Sequence, residues 1–266
     1  VVAGGLGLTG GVLVGRKTAR RLRPLTQFDY RHIDGQGMHC FVGVAGFLSQ
    51  KSDHGRIWAS LPVVAQHGEH YALEWESQHL LALGKALGTF WAKGIGSITV
   101  KGFAGQASRV AARKVIWPMA ILSLADLIDN PWSVARDRAD KAAEQLAADL
   151  KARVHGNRPV TLIGFSLGAR VIFRALEKLA EDTDGSMGIV DHVILLGGAF
   201  SAKPESWRNV RDVVAGRLVN AYSQNDMVLR FLYRTAEWES KDIAGLHRVG
   251  ADGVESIDVS HIVDGH

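Results

Sequence analysis

The stretch that decides the fold is PVTLIGFSLGARVIFRALEKLA, residues 159–180. It opens with an apolar run typical of a buried strand and continues with apolar residues at helical spacing. Between the two lies Gly164-Phe165-Ser166-Leu167-Gly168, a G-x-S-x-G sequence. In the order strand, G-x-S-x-G, helix, a strained turn presents the serine at the edge of a sheet. The sequence therefore predicts such an elbow with Ser166 at its tip, and glycines where backbone segments approach too closely for side chains.

Strand-like and helix-like segments alternate on both sides of this elbow. Residues 134–153 are the clearest helix, because alanine and leucine recur on one face at spacings of three and four. Strand, helix and strand in succession imply parallel pairing through right-handed crossovers. We therefore predict an α/β-hydrolase fold, with a mostly parallel central sheet, helices on both faces and a helical insertion between residues 76 and 133. The predicted strands are residues 38–49, 70–75, 159–165, 192–200, 217–223 and 254–260.

The insertion contains WPMAILSLADLI, residues 117–128, which is strongly apolar. A buried crossover helix is one interpretation of this stretch. The other is a lid or the wall of an acyl pocket, since an apolar helix beside a nucleophile would shelter a lipid-like substrate.

An acid that could support Ser166 lies downstream of it. Serine is a weak nucleophile until a base removes its proton, so an orienting carboxylate and a histidine should follow in the order Ser, Asp or Glu, His. Asp226 follows the strand at residues 217–223, at the carboxyl end of that strand. Asp212 precedes the same strand and is less well placed. Asp226 is therefore the predicted acid, although aspartate is also common in such loops as a simple turn residue.

Two candidate bases follow the last predicted strand. His261 comes almost directly after it, whereas His266 comes after a longer loop and behind Gly265, which can turn the backbone toward the sheet. Either could instead be an ordinary exposed loop histidine. From the residues alone, both bases stay open.

Acyl transfer also needs hydrogen-bond donors for the negative charge that develops on the carbonyl oxygen. The Leu167 amide, at the start of the predicted helix, is one expected donor. The second should come from the turn after an earlier strand, where Gly46-Phe47 is the best candidate.

The amino-acid composition limits which other classes of protein the chain could belong to. The chain has 266 residues, 47% of them hydrophobic, which is enough for one sizeable core. Its net charge is +4, and the positive residues are scattered except for a cluster at residues 16–23, so nucleic acid is not an expected partner. Cys40 is the only cysteine, which excludes a disulfide framework and suits a reducing compartment. His67 and His70 are expected in a solvated loop, and we predict no metal site and no cofactor.

The N-terminal end differs from the rest. Residues 1–15 are uncharged and rich in glycine, and a basic cluster follows directly. The stretch is shorter than the roughly 20 residues of a spanning helix, yet it resembles the end of a membrane segment. We therefore divide the chain into residues 1–23, with possible membrane contact, and an α/β-hydrolase domain at residues 24–266. A glycine-rich linker is the alternative, and the absence of an initial methionine suggests a piece of a longer protein.

Three segments carry a resemblance to a known family, namely GFSLGAR, VAGRLVNAYSQNDMVLRFLYR and IDVSHIVDGH. Together they resemble the transmembrane and coiled-coil domain-containing protein 4 family, a hydrolase-like group of membrane-associated proteins. The resemblance covers about residues 38–266. It implies an α/β-hydrolase fold, Ser166 as nucleophile, Asp226 as acid, His266 as base and an intracellular, membrane-associated location.

These observations favour a serine hydrolase, an esterase or lipase acting on a small-molecule or lipid ester near a membrane. The alternative is a catalytically silent α/β-hydrolase-fold module for binding, membrane trafficking or anchoring, because a fold alone does not confer activity. A nucleophile, an acid and a base in the correct order favour the enzyme.

Overall fold

The computed structural model describes residues 24–98, 131–182, 187–235, 242–263 and 266. Strands and helices alternate along these residues, as the sequence predicts. The strands are β1 (Phe28–Asp34), β2 (His39–Val44), β3 (Gly68–Trp75), β4 (Val160–Phe165), β5 (Val190–Leu196), β6 (Leu218–Tyr222) and β7 (Val254–Asp258). The helices are α1 (Asp53–Arg56), α2 (Leu61–Val64), α3 (Ser77–Ile98), α4 (Ser133–Lys151), α5 (Leu167–Glu181), α6 (Pro204–Arg211) and α7 (Met227–Thr235).

The strands form one seven-stranded sheet in the order β1-β3-β2-β4-β5-β6-β7. Strand β1 pairs antiparallel with β3, and every other neighbouring pair is parallel. The parallel strands therefore all end at the same edge, which we call the carboxyl edge. The predicted α/β-hydrolase fold, with its mostly parallel central sheet, is confirmed.

Helices cover both faces of the sheet. On one face, α4 and α5 pack against each other and α6 packs on α5. Their apolar sides meet alternate residues of the central strands, such as Val42 and Val44 of β2. On the other face, Trp58 between α1 and α2 packs against Ala72 and Ile163 and lies directly over Gly43. Successive residues of β2 thus face opposite sides of the sheet, with Val42 and Val44 toward one helix layer and Gly43 toward the other.

Some boundaries differ from the predictions. Strand β2 stops at Val44, although the apolar run continues to Ser49, because the chain leaves the sheet there to form the loop before α1. The solvated loop predicted for His70 is wrong, since this residue is fully buried within β3 and stacks on Phe41. Strand β1 was not predicted because most of its residues are polar or only partly buried.

Two predicted segments lie outside the described residues, namely the N-terminal segment at residues 1–23 and the apolar stretch at residues 117–128. In the part of the chain that is described, no helix has both the length and the apolar character that crossing a bilayer requires.

A buried ion pair fixes the start of α3. Glu76, which directly precedes this helix, accepts hydrogen bonds from Arg138 of α4 at 2.8 and 2.9 Å and from the Thr26 amide at 2.6 Å. Burial opposes ionisation of this carboxyl group, but these hydrogen bonds outweigh it and hold the pKa of Glu76 below its ordinary value. The charged pair thus ties α3 to α4.

Helix α3 in turn packs against the loop that follows β2. A Cβ atom on Gly84 would lie 2.0 Å from the carbonyl oxygen of Leu48, so only glycine allows this approach. One turn further on, a Cβ atom on Gly88 would meet nothing within 4 Å. The two glycines of one helix therefore have opposite tolerance for a side chain.

We expect Gly84→Ala to lower the free energy of unfolding by about 1–3 kcal/mol, because the helix must move away from the loop. Gly88→Ala is the matched control and should raise that free energy by up to about 1 kcal/mol through its higher helix propensity. Urea unfolding of both variants measures the difference. Equal stability of the two would contradict the close packing of α3 on the loop.

Candidate active site

Four loops meet at the carboxyl edge of the sheet. They follow β2, β4, β6 and β7, and they carry the predicted oxyanion donor, nucleophile, acid and base in that order. Open α/β sheets bind ligands in the crevice at this edge. The candidate site lies there.

The loop after β4 is a sharp elbow. Ser166 separates the last residue of β4 from the first residue of α5, and its backbone has φ 55° and ψ −119°. A positive φ is uncommon for a residue other than glycine, so the turn is strained. The Ser166 amide donates to the Leu196 carbonyl oxygen of β5 at 2.9 Å, which fixes the elbow against the neighbouring strand.

Glycines on both sides of Ser166 make this elbow possible. A Cβ atom on Gly164 would lie 2.7 Å from the Cα atom of Ala169, and one on Gly168 would lie 1.9 Å from the Val44 carbonyl oxygen. Gly46 is equally constrained, since its Cβ atom would lie 2.3 Å from the carbonyl oxygen of Phe165. The elbow therefore rests directly on the backbone of β2 and of the loop after it.

The structure brings Ser166, His266 and Asp226 together in one hydrogen-bonded chain. The Ser166 Oγ and His266 Nε2 atoms are 2.7 Å apart, and His266 Nδ1 lies 2.6 Å from Asp226 Oδ2. A carboxylate only accepts hydrogen bonds, so Nδ1 carries the proton that it donates to Asp226, which leaves Nε2 free to accept from the serine. The side chains of His266 and Asp226 are 1% and 4% exposed, so water scarcely reaches their contact.

Asp226 has a second structural task. Its Oδ1 atom accepts a hydrogen bond from the Leu229 amide at 2.9 Å, which caps the first turn of α7. Because one carboxylate oxygen caps the helix and the other meets the histidine, the carboxylate is held from both sides.

The loop that carries the acid is bound to the loop that leads to the base. The Ser223 hydroxyl donates to the Val263 carbonyl oxygen at 3.3 Å. The Gln224 amide donates to the Ser260 hydroxyl at 2.8 Å, and the Asn225 side chain donates to the Ser260 carbonyl oxygen at 2.9 Å. These hydrogen bonds hold the two loops side by side. Gly265, to which we attributed the turn toward the sheet, lies outside the described residues.

Two phenylalanine rings that contact each other also contact the imidazole. The ring centroids of Phe47 and Phe165 lie 5.7 and 5.2 Å from that of His266, and the two phenylalanine rings are 5.5 Å apart. Phe165 is the variable residue before the serine in the motif, and sequence reasoning gave it no role. The rings limit the orientations that the imidazole can adopt.

Two amides adjoin the serine as candidate donors. Leu167 is the first residue of α5. The backbone of Gly46 lies close to the Leu167 amide, since a Cβ atom on Gly46 would be 2.4 Å from the Leu167 nitrogen. Among the described residues, neither the Leu167 nor the Phe47 amide has a hydrogen-bond acceptor. Both therefore stay candidate donors to an oxygen atom on a substrate.

The structure leaves the alternative residues outside this arrangement. His261 is exposed on the loop after β7, and the imidazole beside Ser166 belongs to His266. Asp212 directly follows α6 and lines a groove of about 540 Å³ between α4, α5 and α6, and neither Ser166 nor His266 lines that groove. Within the described ranges, no three His, Cys, Asp or Glu side chains are arranged to hold a metal ion.

Comparisons with known proteins extend over the whole chain. The transmembrane and coiled-coil domain-containing protein STS1 of Oryza sativa subsp. japonica is 39% identical over 273 residues, covering 100% of this chain and 40% of that protein. The probable lipase MIL1 of Saccharomyces cerevisiae is 34% identical over 254 residues, covering 94% of this chain and 23% of that protein. The chain therefore spans less than half the length of these curated relatives.

A solved structure is also similar, the LpqC poly(3-hydroxybutyrate) depolymerase from Bordetella parapertussis, with a TM-score of 0.45 and 12% identity over 89% of this chain and 78% of that one. The resemblance to the transmembrane and coiled-coil domain-containing protein 4 family in particular stays a prediction. Membership of a broader family is shown by a match to the family model. The family described as "Protein of unknown function (DUF726)" matches residues 1–266, and this chain belongs to it.

Proposed function

We propose that this chain is a serine hydrolase that cleaves acyl esters, with Ser166 as nucleophile, His266 as base and Asp226 as the orienting acid. The observation that carries the proposal is the hydrogen-bonded chain from the Ser166 hydroxyl through His266 to Asp226, with contacts of 2.7 and 2.6 Å. A nucleophile within reach of a base that is itself held by a third group is the arrangement that acyl transfer requires.

In the first half of the reaction, the Ser166 oxygen attacks the ester carbonyl carbon while its proton passes to His266 Nε2. The Asp226 carboxylate stabilises the imidazolium that forms and itself stays unprotonated. When the tetrahedral intermediate collapses, the bond to the alcohol oxygen breaks, and His266 returns the proton to that oxygen. The alcohol leaves, and the acyl group stays on Ser166.

The amides of Leu167 and Phe47 are the proposed donors to the oxyanion. They are worth most if they are already oriented before the reaction, because no reorganisation is then needed as the charge develops. The position of Leu167 at the start of α5 adds the positive end of the helix dipole.

In the second half, water replaces the alcohol. His266 accepts a proton from the water molecule, whose oxygen attacks the acyl carbon, and then delivers a proton to Ser166 Oγ as the acid is released. In both halves of the cycle, each proton is therefore transferred to or from His266.

A lipid-like ester near a membrane is the proposed substrate class. The name of one relative, a probable lipase, supports the lipid-like ester. The name of another, a transmembrane and coiled-coil domain-containing protein, supports the location near a membrane. We further propose that residues 1–23 contact the membrane and that residues 24–266 form the hydrolase domain. Hydrolysis of chromogenic esters that differ only in acyl length would define the chain-length preference.

A fluorophosphonate probe tests the nucleophile. We expect the wild-type chain to be labelled and Ser166→Ala to lose labelling, because the probe reacts only with an activated serine. Ser201→Ala is a matched control, since this hydroxyl accepts a hydrogen bond from the Lys203 amide at 3.2 Å and has no part in the contacts that join Ser166, His266 and Asp226. Equal labelling of wild type and Ser166→Ala would remove Ser166 from the mechanism and favour a silent binding module.

Substitution of Asp226 separates its two tasks. Asp226→Asn keeps an oxygen for the helix cap but favours the wrong histidine tautomer, so we expect kcat to fall by roughly 10³–10⁴-fold with stability nearly unchanged. Asp226→Ala should also lose about 1 kcal/mol of unfolding free energy with the cap. Ester hydrolysis and urea unfolding measure the two effects, with Asp212→Asn as control. A kcat within tenfold of wild type for Asp226→Asn would contradict the assigned role.

Liposome flotation tests the membrane contact. Deletion of residues 1–23 removes the apolar stretch and its basic flank, so we expect less of the chain to float with anionic vesicles at low salt. Unchanged flotation after the deletion would reject this segment as the contact.

A further inference from the structure

The loop at residues 45–52, between β2 and α1, carries the proposed second oxyanion donor, the Phe47 amide. This loop has no regular secondary structure, so no ladder of backbone hydrogen bonds holds it. A catalytic donor must nevertheless stay within about 0.5 Å of its productive position. Other contacts must therefore orient the loop.

The carboxylate of Asp53 holds the far end of the loop. Its Oδ2 atom accepts hydrogen bonds from the amides of Ser49 and Gln50, both at 2.8 Å. The Asp53 amide donates back to the Gln50 carbonyl oxygen at 3.1 Å. Asp53 is only 8% exposed, and hydrogen bonds to an ionised acceptor are roughly twice as strong as neutral ones. One carboxylate thus closes the loop on itself.

The near end and the middle of the loop are held by β3 and α3. The Trp75 indole donates to the Ala45 carbonyl oxygen at 3.0 Å, and the Leu48 amide donates to the Leu80 carbonyl oxygen at 3.2 Å. Gly46 lies against the elbow, as described above. Hydrogen bonds therefore hold the chain both before and after Phe47. On the C-terminal side of Phe47, the Asp53 carboxylate holds the last part of the loop.

We infer that Asp53 is a positioning residue for the oxyanion hole, holding loop 45–52 so that the Phe47 amide faces the carbonyl oxygen of the substrate. The inference rests on the proposed hydrolase function. Asp53 does not touch the reacting atoms in this role and acts through the loop backbone. Its removal should therefore slow the chemical step and leave substrate binding unchanged.

The exposure of the loop separates this role from a purely structural one. Ser49 and Gln50 are exposed, so water can satisfy their amides when the carboxylate is absent. The cost of Asp53→Ala should then fall on the position of the loop rather than on folding. Asp53→Asn keeps a side-chain oxygen that can accept from both amides and should restore the loop.

The experiment is steady-state hydrolysis of a chromogenic ester by the full chain, comparing wild type, Asp53→Ala, Asp53→Asn and Ser166→Ala. We expect Asp53→Ala to lower kcat at least tenfold with KM within twofold, and Asp53→Asn to stay within threefold of wild type. Asp149→Ala is the matched control, since its carboxylate accepts from Tyr30 at 3.0 Å in a contact between β1 and α4. This control should keep the wild-type kcat.

The outcomes are distinguishable. A wild-type kcat for Asp53→Ala, with Ser166→Ala inactive, overturns the positioning role and leaves the proposed function standing. A raised KM at constant kcat, or an equal loss in Asp53→Ala and Asp53→Asn, also overturns it. If wild type hydrolyses no ester, or Ser166→Ala matches it, the proposed function fails and this inference with it. Should Asp53→Ala not fold, Asp53→Ser, whose hydroxyl is too short to reach both amides, is judged by the same criteria.

Discussion

The close contact between the serine elbow and the loop after β2 is the constraint on which the rest of the site depends. At Gly46, Gly164 and Gly168, an added Cβ atom would lie within 2.7 Å of backbone atoms. Because backbone lies against backbone at these glycines, the sheet sets the position of the Ser166 elbow, whereas the loop that carries the Phe47 amide is also held by the side chains of Trp75 and Asp53. The strained φ of Ser166 is maintained by the strand before it, the helix after it and the hydrogen bond to β5.

The remaining two groups reach the elbow from distant parts of the chain. Ser166 and His266 are 100 residues apart in sequence, and only the order of the strands brings them to the same edge. Hydrogen bonds between the loops after β6 and β7 then reduce the freedom of both, so the acid and the base are positioned as one unit. The two neighbouring phenylalanine rings that contact His266 restrict it further. Geometry of this kind lowers a reaction barrier because little orientation is left to achieve.

The elements whose residues follow a regular pattern could be predicted from the sequence. The strand, elbow and helix around Ser166 follow from hydrophobic periodicity and the glycine spacing, and loop position relative to the strands selected Asp226 over Asp212. Choosing between His261 and His266 needed the resemblance to a family, since periodicity carries no information on which loop histidine turns inward. The roles of all these residues stay proposals. Strand β1 and the buried state of His70 could not be predicted, because each depends on partners far away along the chain. The contacts of Asp53 are local, but they lie in a loop without hydrophobic periodicity, so no pattern pointed to them.

The shared use of Asp226 has an evolutionary consequence. One oxygen of this carboxylate caps a helix and the other contacts an imidazole. Under the proposed function, selection for folding and selection for chemistry therefore act on the same side chain. A descendant that no longer needed the imidazole would still be favoured if it kept the aspartate. Retention of an acid at this position in a relative is therefore weak evidence that the relative is an enzyme, whereas retention of the serine and the histidine, which have no such second task, is stronger evidence.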